Sequence, residues 1–278
     1  MKKVSRRKFI IDLFTLTTIT LVADAVWLEK FFIETNEFFL GDASSNTENL
    51  KIVQISDLHL RSIDMQHRML AKKINKLKPD LILFTGDSVD RLKTMDLFDE
   101  YLGHFDQGIK KVAILGNREY KRGVSLEKLR DIYLRHNTDL LVNDSKIYSV
   151  GKDKISITGI DDFREGKPDF PKAMTKYTPA DHHIVLTHCP EHRDTILKEM
   201  GNTPIDFILS GHTHGGQVRI LGYAPYKPEG SGRYLSGWYR EELPHLYVSK
   251  GIGTTAIPIR FGSRAEIAIF HLKTKALS

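Results

Sequence analysis

Leu50-Lys51-Ile52-Val53-Gln54-Ile55 is a short, mostly apolar run that reads as a buried strand, and it gives way after Ser56 to Asp57-Leu58-His59. The same step recurs along the chain. Asp80-Leu81-Ile82-Leu83-Phe84-Thr85 leads into Gly86-Asp87, and Lys111-Val112-Ala113-Ile114-Leu115 leads into Gly116-Asn117-Arg118-Glu119. His183-Ile184-Val185-Leu186-Thr187 precedes His188, and Ile205-Asp206-Phe207-Ile208-Leu209 precedes Gly211-His212-Thr213-His214. Each polar group thus follows its own apolar strand. Strand ends on one edge of a sheet share a crevice, which lets groups far apart in sequence converge. A single Asp or Gly at a strand end is an ordinary turn residue; the reading rests on the set and its order.

Asp57, His59, Asp87, Asn117, His188, His212 and His214 supply two carboxylates, one amide and four imidazoles, enough to hold two divalent cations around a shared carboxylate. Cations about 3.5 to 4 Å apart bind non-bridging phosphate oxygens and lower the pKa of a bridging water, so that hydroxide attacks phosphorus in line with the departing oxygen. Carboxylates hold the ions against loss, while neutral imidazoles and the Asn117 amide complete coordination without overcharging the site. The donor set favours Mn, Fe, Zn or Co over Ca, with two Mn ions as the first expectation. Hydrolysis of a phosphate ester is the expected chemistry, with Asp87, Asn117, Arg118 and His212 at the reacting group.

With its Asp-x-His, Gly-Asp, Gly-Asn, His and Gly-His-x-His blocks all present, the chain from about residue 50 to 272 resembles the calcineurin-like metallophosphoesterase superfamily. That resemblance implies an α/β fold, a four-layer αββα sandwich of two mixed sheets packed face to face with helices outside. It implies that Asp57, His59 and His214 hold one metal and Asn117, His188 and His212 the other, with Asp87 bridging. One block departs from the pattern. Many members have Gly-Asn-His at the third block, where this chain has Arg118. An arginine stays charged and offers a rigid donor fork, so it clamps phosphate oxygens but is a poor proton donor. That suits a leaving group needing little protonation, such as a nucleoside monophosphate released from a pyrophosphate. The Gly-Asn-Arg block resembles the bacterial UDP-2,3-diacylglucosamine hydrolases of lipid A synthesis. The bland account makes Arg118 a turn residue salt-bridged with Glu119.

A chain of 278 residues, 41% of them hydrophobic and 27% charged, can bury a large core and is not disordered. The expected organisation is an amino-terminal segment over 1–40, a polar connection over 41–49 and one catalytic domain over 50–278. Cys189 is the only cysteine, which excludes an intramolecular disulfide and reads as a buried structural thiol. In the amino-terminal segment, Lys2, Lys3, Arg6, Arg7 and Lys8 precede Phe9-Ile10-Ile11 and a mostly apolar stretch from Leu13 to Leu28, as in a signal or membrane anchor. Ser5-Arg6-Arg7-Lys8-Phe9-Ile10 resembles a twin-arginine export motif, and Ala23-Asp24-Ala25 would fit a cleavage site. Asp12 and Asp24 interrupt the run; the alternative is an amphipathic surface helix using Trp27, Leu28, Phe31, Phe32 and Phe38 to Leu40. Either version places the protein at the bacterial inner membrane or in the envelope, exported or anchored, with the cytoplasmic face as the alternative.

The formal charge of +6 suits an anionic phosphate ester, lipid-linked in one version, and anionic headgroups. No recognition helix or aromatic-basic platform accompanies it, so nucleic acid is a minor reading, and no obligate protein partner is expected. The aromatic stretch with Tyr223, Tyr226, Tyr234, Trp238 and Tyr239 could wall a substrate site, with Arg233 or Arg240 near a phosphate, or pack a hairpin core. Asp90, Asp161 and Asp162 could support ligands, although capping and turns explain them more cheaply. His182, His183, His192, His245 and His271 lack the ligand framework, and His271 reads as a sheet residue. A metal-stabilised scaffold is the remaining class; the complete ligand set argues against it.

Overall fold

Alternation along the strands sorts their side chains into layers. Strand β2 (Asn49–Ile55) sends Leu50 and Ile52 into one core and Val53 and Ile55 into another, and β3 (Leu81–Thr85) divides Leu81 and Leu83 from Ile82 and Phe84 in the same way. A strand buried on both faces is mostly apolar, which is why these segments read as largely hydrophobic runs. The computed structural model describes residues 5–24, 29, 32–41, 49–255 and 257–273.

Two six-stranded sheets are formed. The first has the order β1 (Glu34–Leu40), β12 (Glu266–Lys273), β2, β3, β4 (Lys110–Ile114), β5 (Thr138–Leu140), and the second β10 (Gly237–Tyr239), β11 (His245–Val248), β9 (Phe207–Ser210), β8 (His182–Leu186), β7 (Asp153–Gly159), β6 (Asp144–Val150). Strands β2 to β5 run parallel, as do β7, β8, β9 and β11; the antiparallel pairs are β12 with β2, β6 with β7 and β10 with β11. Between the sheets lies a core that includes Ile52, Leu83, Ile114, Ile157, Ile184, Leu186 and Phe270. Helices α2 (Met65–Leu77), α3 (Met95–Leu102) and α5 (Leu126–Arg135) cover the outer face of the first sheet through Leu70, Ile74, Phe98, Leu129 and Ile132. Helices α6 (Phe170–Met174) and α7 (Arg193–Glu199) cover the second through Phe170, Ala173 and Ile196. The four-layer αββα sandwich of two mixed sheets is therefore the fold. Truncating one of the fully buried inter-sheet residues, such as Ile184→Ala, costs about 2 to 5 kcal/mol.

The parallel strands of both sheets deliver their carboxyl ends to one rim. Bonds across the sheets fix this: Gln54 Nε2 donates to the Ser210 carbonyl at 3.0 Å, His188 Nδ1 to the Thr85 carbonyl at 2.8 Å, and the His212 amide to the Asp57 carboxylate at 2.9 Å.

The amino-terminal expectation is corrected here. Among the described residues no helix is long and apolar enough to cross a membrane. Helix α1 (Arg6–Ala23) has 18 residues, about 27 Å at 1.5 Å each against about 30 Å of hydrocarbon, and it contains Arg6, Arg7, Lys8 and Asp12. Placement at the inner membrane or in the envelope by this segment is overturned. The surface-helix alternative fails for its last part, because residues 34–40 form β1, paired in parallel with β12. Phe38 packs there against the inter-sheet core, 5.6 Å from the Phe270 ring. Lys2, Lys3, Ala25, Trp27, Leu28, Phe31 and residues 42–48 lie outside the described residues.

Candidate metal centre

Each of the seven candidate ligands lies just past a parallel strand, and five sit in backbone conformations that side chains avoid. Asp57 (φ 51°), His59 (φ 43°), Asp87 (φ 52°), His212 (φ 71°) and His214 (φ 51°) are all left-handed. Such residues cost of order 1 to 3 kcal/mol each and persist only where the surroundings over-determine them. Here the surroundings do so. The Asp57 and His59 amides donate to the Gly86 and Asp87 carbonyls at 3.1 and 2.9 Å, and the Gly253 amide donates to the Asp57 carbonyl at 2.7 Å. Close approach also demands glycine at two points: a Cβ at Gly116 would overlap Asp87 Oδ1, and one at Gly211 would overlap Ser56 Oγ and Asp57 Oδ2.

The hydrogen bonds settle which ring nitrogens carry protons. His59 Nδ1 donates to Asp90 Oδ1 at 3.2 Å, His188 Nδ1 to the Thr85 carbonyl at 2.8 Å, and His212 Nε2 to the Glu229 carbonyl at 2.8 Å. Their other nitrogens point inward. His59 Nε2 lies 3.0 Å from His214 Nε2 and 3.5 Å from Asp87 Oδ2, while His214 Nε2 lies 3.4 Å from Asp57 Oδ1. On the other side, His188 Nε2 is 3.3 Å from Asn117 Oδ1 and 3.4 Å from Asp87 Oδ1, and His212 Nδ1 is 3.0 Å from Asn117 Oδ1. Asp87 therefore presents one oxygen to each group. The buried triads Asp57, His59, His214 and Asp57, Asp87, His188 each bring their ligand atoms within 4.8 Å. Imidazole nitrogens, carboxylate oxygens and an amide oxygen converging in a buried space are the donor set that divalent cations take, so these residues fit a dinuclear metal centre.

Burial works against charge on each of these groups, and the neighbours decide the outcome. At Asp87 burial raises the pKa, but His188 and His59, with the Arg118 amide at 2.8 Å, outweigh it and hold the carboxyl below the usual range. His188 is opposed by burial, yet Asp87 carries it well above the ordinary imidazole value. Burial and then His188 lower His212; burial, then His59 and Arg260, hold His214 well below.

The supporting residues were only partly foreseen. Asp90 does more than make a turn: it receives His59 and is braced by Arg61 Nη2 at 3.1 Å. Burial opposes its ionisation, but the His59 bond and both charges bring its pKa down to about 2. Asp161 and Asp162 are turn formers, accepting amides of Asp162 and Lys167 and of Arg164 and Glu165 respectively. Glu119 does not pair with Arg118. Its buried carboxylate accepts the amides of Ser88 (2.7 Å), Val89 (3.1 Å), Gly116 (2.9 Å) and Asp87 (3.2 Å), while burial and then Asp87 push its pKa up to about 7. The Arg118 guanidinium has no hydrogen bond or ion pair among the described residues and lines the cleft.

That cleft, about 220 Å³, is bordered by Asp87, Asn117, Arg118, His212, His214 and, from the aromatic loop, Tyr226. The other aromatics of the loop divide from it. Trp238 packs between the sheets against Phe38 and Tyr247, and Tyr234 is buried with its hydroxyl donating to Asp194 at 2.5 Å. Arg233 pairs with Asp194 and Glu242, and Arg240 covers the Trp238 ring, so neither lines the cleft. Arg164 and Glu229, unremarked in the sequence, do, as does Lys121, one of the basic residues behind the positive charge. Arg260, also unremarked, is fully buried and donates to the Gly253, Lys250 and Ser263 carbonyls beside the His214 ring. Cys189 is buried, as expected.

Comparison with known proteins adds three findings. Residues 50–216 match the family described as calcineurin-like phosphoesterase. The uncharacterized metallophosphoesterase YkuE of Bacillus subtilis (strain 168) is 32% identical over 291 aligned residues, covering 99% of both chains. UDP-2,3-diacylglucosamine pyrophosphatase LpxG of Chlamydia trachomatis is 29% identical, covering 92% of this chain and 96% of its own.

Proposed function

The chain belongs to the calcineurin-like phosphoesterase family and is a metal-dependent phosphoesterase; from that premise we propose that it hydrolyses a phosphodiester or pyrophosphate bond. The ions would be divalent, Mn the first candidate, held by Asp57, His59 and His214 on one side, by Asn117, His188 and His212 on the other, and by Asp87 between them. When bound, such a pair polarises the phosphoryl oxygens and lowers the pKa of the attacking water. The chain's own residues prepare the rest. Asp90 and the Thr85 and Glu229 carbonyls each accept one imidazole N–H, so the opposite nitrogen of each ring faces inward before a ligand arrives. Arg118 presents its fork to the phosphate oxygens and offsets the charge that grows on them. Because an arginine gives up its proton poorly, the leaving group must depart largely unaided, as an aryl oxide or a nucleoside monophosphate does.

The observation that supports this most is the inward convergence of imidazole nitrogens and carboxylate and amide oxygens at 3.0 to 3.5 Å. Metal content and hydrolysis of bis(p-nitrophenyl) phosphate are measured together, with Asp87→Asn as the blank. Turnover is expected with Mn and is expected to collapse on chelation and in the variant; turnover that survives both would refute the proposal.

A second reading, a UDP-2,3-diacylglucosamine pyrophosphatase releasing UMP and 2,3-diacylglucosamine 1-phosphate, is favoured by Arg118 and by the likeness to the Chlamydia protein of that name. Release of UMP from the diacylated nucleotide by the same preparation decides it.

A further inference from the structure

On the cleft wall, Arg164 Nη2 meets the Glu229 carboxylate at 2.6 Å, and the two side chains are built very differently. The Arg164 side chain is 19% exposed and that of Glu229 84%. The arginine is seated: its amide donates to Asp162 Oδ1 at 3.0 Å, and its stem passes over Gly230, where a Cβ would stand 2.8 Å from Arg164 Cδ. The glutamate is fixed only through its main chain, whose carbonyl accepts His212 Nε2 at 2.8 Å, and its carboxylate is free to swing into solvent. Lys121 lines the same cleft and is held by Glu165 at 3.0 Å. Among the described residues Arg164 contacts none of the seven candidate metal ligands through its side chain, so the metal centre does not account for it.

A seated cation, covered by a carboxylate that can leave without disturbing its own main chain, is an anion subsite with an internal stand-in. We propose, on the footing of the phosphoesterase reading, that Arg164 with Lys121 receives a second phosphate of the substrate, adjacent to the one cleaved, and that Glu229 occupies this place until the substrate displaces it. A neutral group there would displace Glu229 and leave the guanidinium without a charged partner, so the second group must be anionic. The substrates are then diphosphate esters, in which a bond of a phosphoanhydride is cut, rather than simple diesters.

The test uses equilibrium binding of ADP, as its non-hydrolysable α,β-methylene analogue, and of AMP to the full-length, Mn-loaded protein by calorimetry, alongside turnover of bis(p-nitrophenyl) phosphate. Wild type is expected to bind ADP at least tenfold more tightly than AMP. Loss of one charge-assisted contact is worth about tenfold or more, so Arg164→Ala should bring the two affinities close together, with Arg164→Lys in between. Glu229→Gln should tighten ADP severalfold and leave AMP within twofold. An equal fall for both ligands in Arg164→Ala would mean the residue only shapes the cleft, and a wild-type preference below threefold would mean there is no subsite; either overturns the proposal. With the ADP preference intact, absent turnover of both the aryl diester and ADP itself would instead strike the phosphoesterase reading alone.

Discussion

Replacing Asp90 by asparagine should harm metal binding more than replacing it by alanine. Asp90 receives His59 Nδ1 at 3.2 Å through one oxygen and Arg61 Nε and Nη2, both at 3.1 Å, through the other. Asparagine keeps one acceptor and turns the other into a donor. A bond to a charged guanidinium contributes about 1.5 to 3 kcal/mol and one between neutral groups about 0.5 to 1.5, so the amide oxygen turns to Arg61 and the NH2 to His59. His59 Nδ1 must then accept, which moves its proton to Nε2, the atom facing Asp87 and His214. Alanine imposes no such bias. The loss of metal affinity expected for Asp90→Asn is roughly 10- to 100-fold, and for Asp90→Ala about tenfold or less. Competition with a fluorescent chelator measures both. If the asparagine variant holds metal as well as the alanine variant, the tautomer argument is wrong.

Three further outcomes are expected. His192 is buried, and burial lowers its pKa to about 4; because the unfolded chain takes up the proton first, near 6.5, this stability is present above pH 6.5 and lost as pH falls toward 4. From pH 7 to 5 this group's share of the loss is about 2 kcal/mol, read as the difference between wild type and His192→Asn in urea midpoints. Gly211→Ala drives a Cβ into Ser56 Oγ and the Asp57 carboxylate, so kcat/KM should fall by roughly 100-fold or more with a modest loss of stability; a change within threefold contradicts the packing described. Arg118→Ala should reduce kcat/KM by roughly 10- to 100-fold with metal content maintained, and a loss of metal instead would show that Arg118 shapes the site rather than contacting the substrate.

Much of this was legible because two kinds of constraint act on the residues themselves. The runs at 50–55, 81–85, 110–114, 182–186 and 207–210 had to be largely apolar because these strands are buried on both faces, and the blocks after them had to be Asp, Asn and His because few side chains bind divalent ions. What escaped was held by the main chain of distant segments. Arg260 lies 46 residues from His214 and acts on carbonyls, which carry no side-chain signature. Glu119 invited pairing with Arg118 because the two are adjacent, yet successive residues of a helix do not face each other, and the carboxylate turned inward to four amides. In the aromatic loop the period of a strand separated Trp238 from Tyr239, one toward the inter-sheet core and the other toward Tyr234.

The left-handed backbone at Asp57, His59, Asp87, His212 and His214 joins these two halves of the account. Asp is a common turn residue and His visits this region more often than most side chains, so at a strand end both read as ordinary turn formers. The same conformation directs each side chain back over the rim, where an extended residue would continue along the strand. At about 1 to 3 kcal/mol apiece, five such residues would weigh heavily on a fold whose net stability is of order 5 to 15 kcal/mol. The cross-sheet bonds from His212 to Asp57 and from His188 to Thr85 offset part of that cost, and a bound cation would offset more, since it ties the converging ligands together in the folded state only. The protein should therefore melt at a distinctly higher temperature with Mn than after chelation, and Asp87→Asn should lose most of that difference; equal melting temperatures with and without Mn would mean the rim is stable by itself and the strain has another explanation.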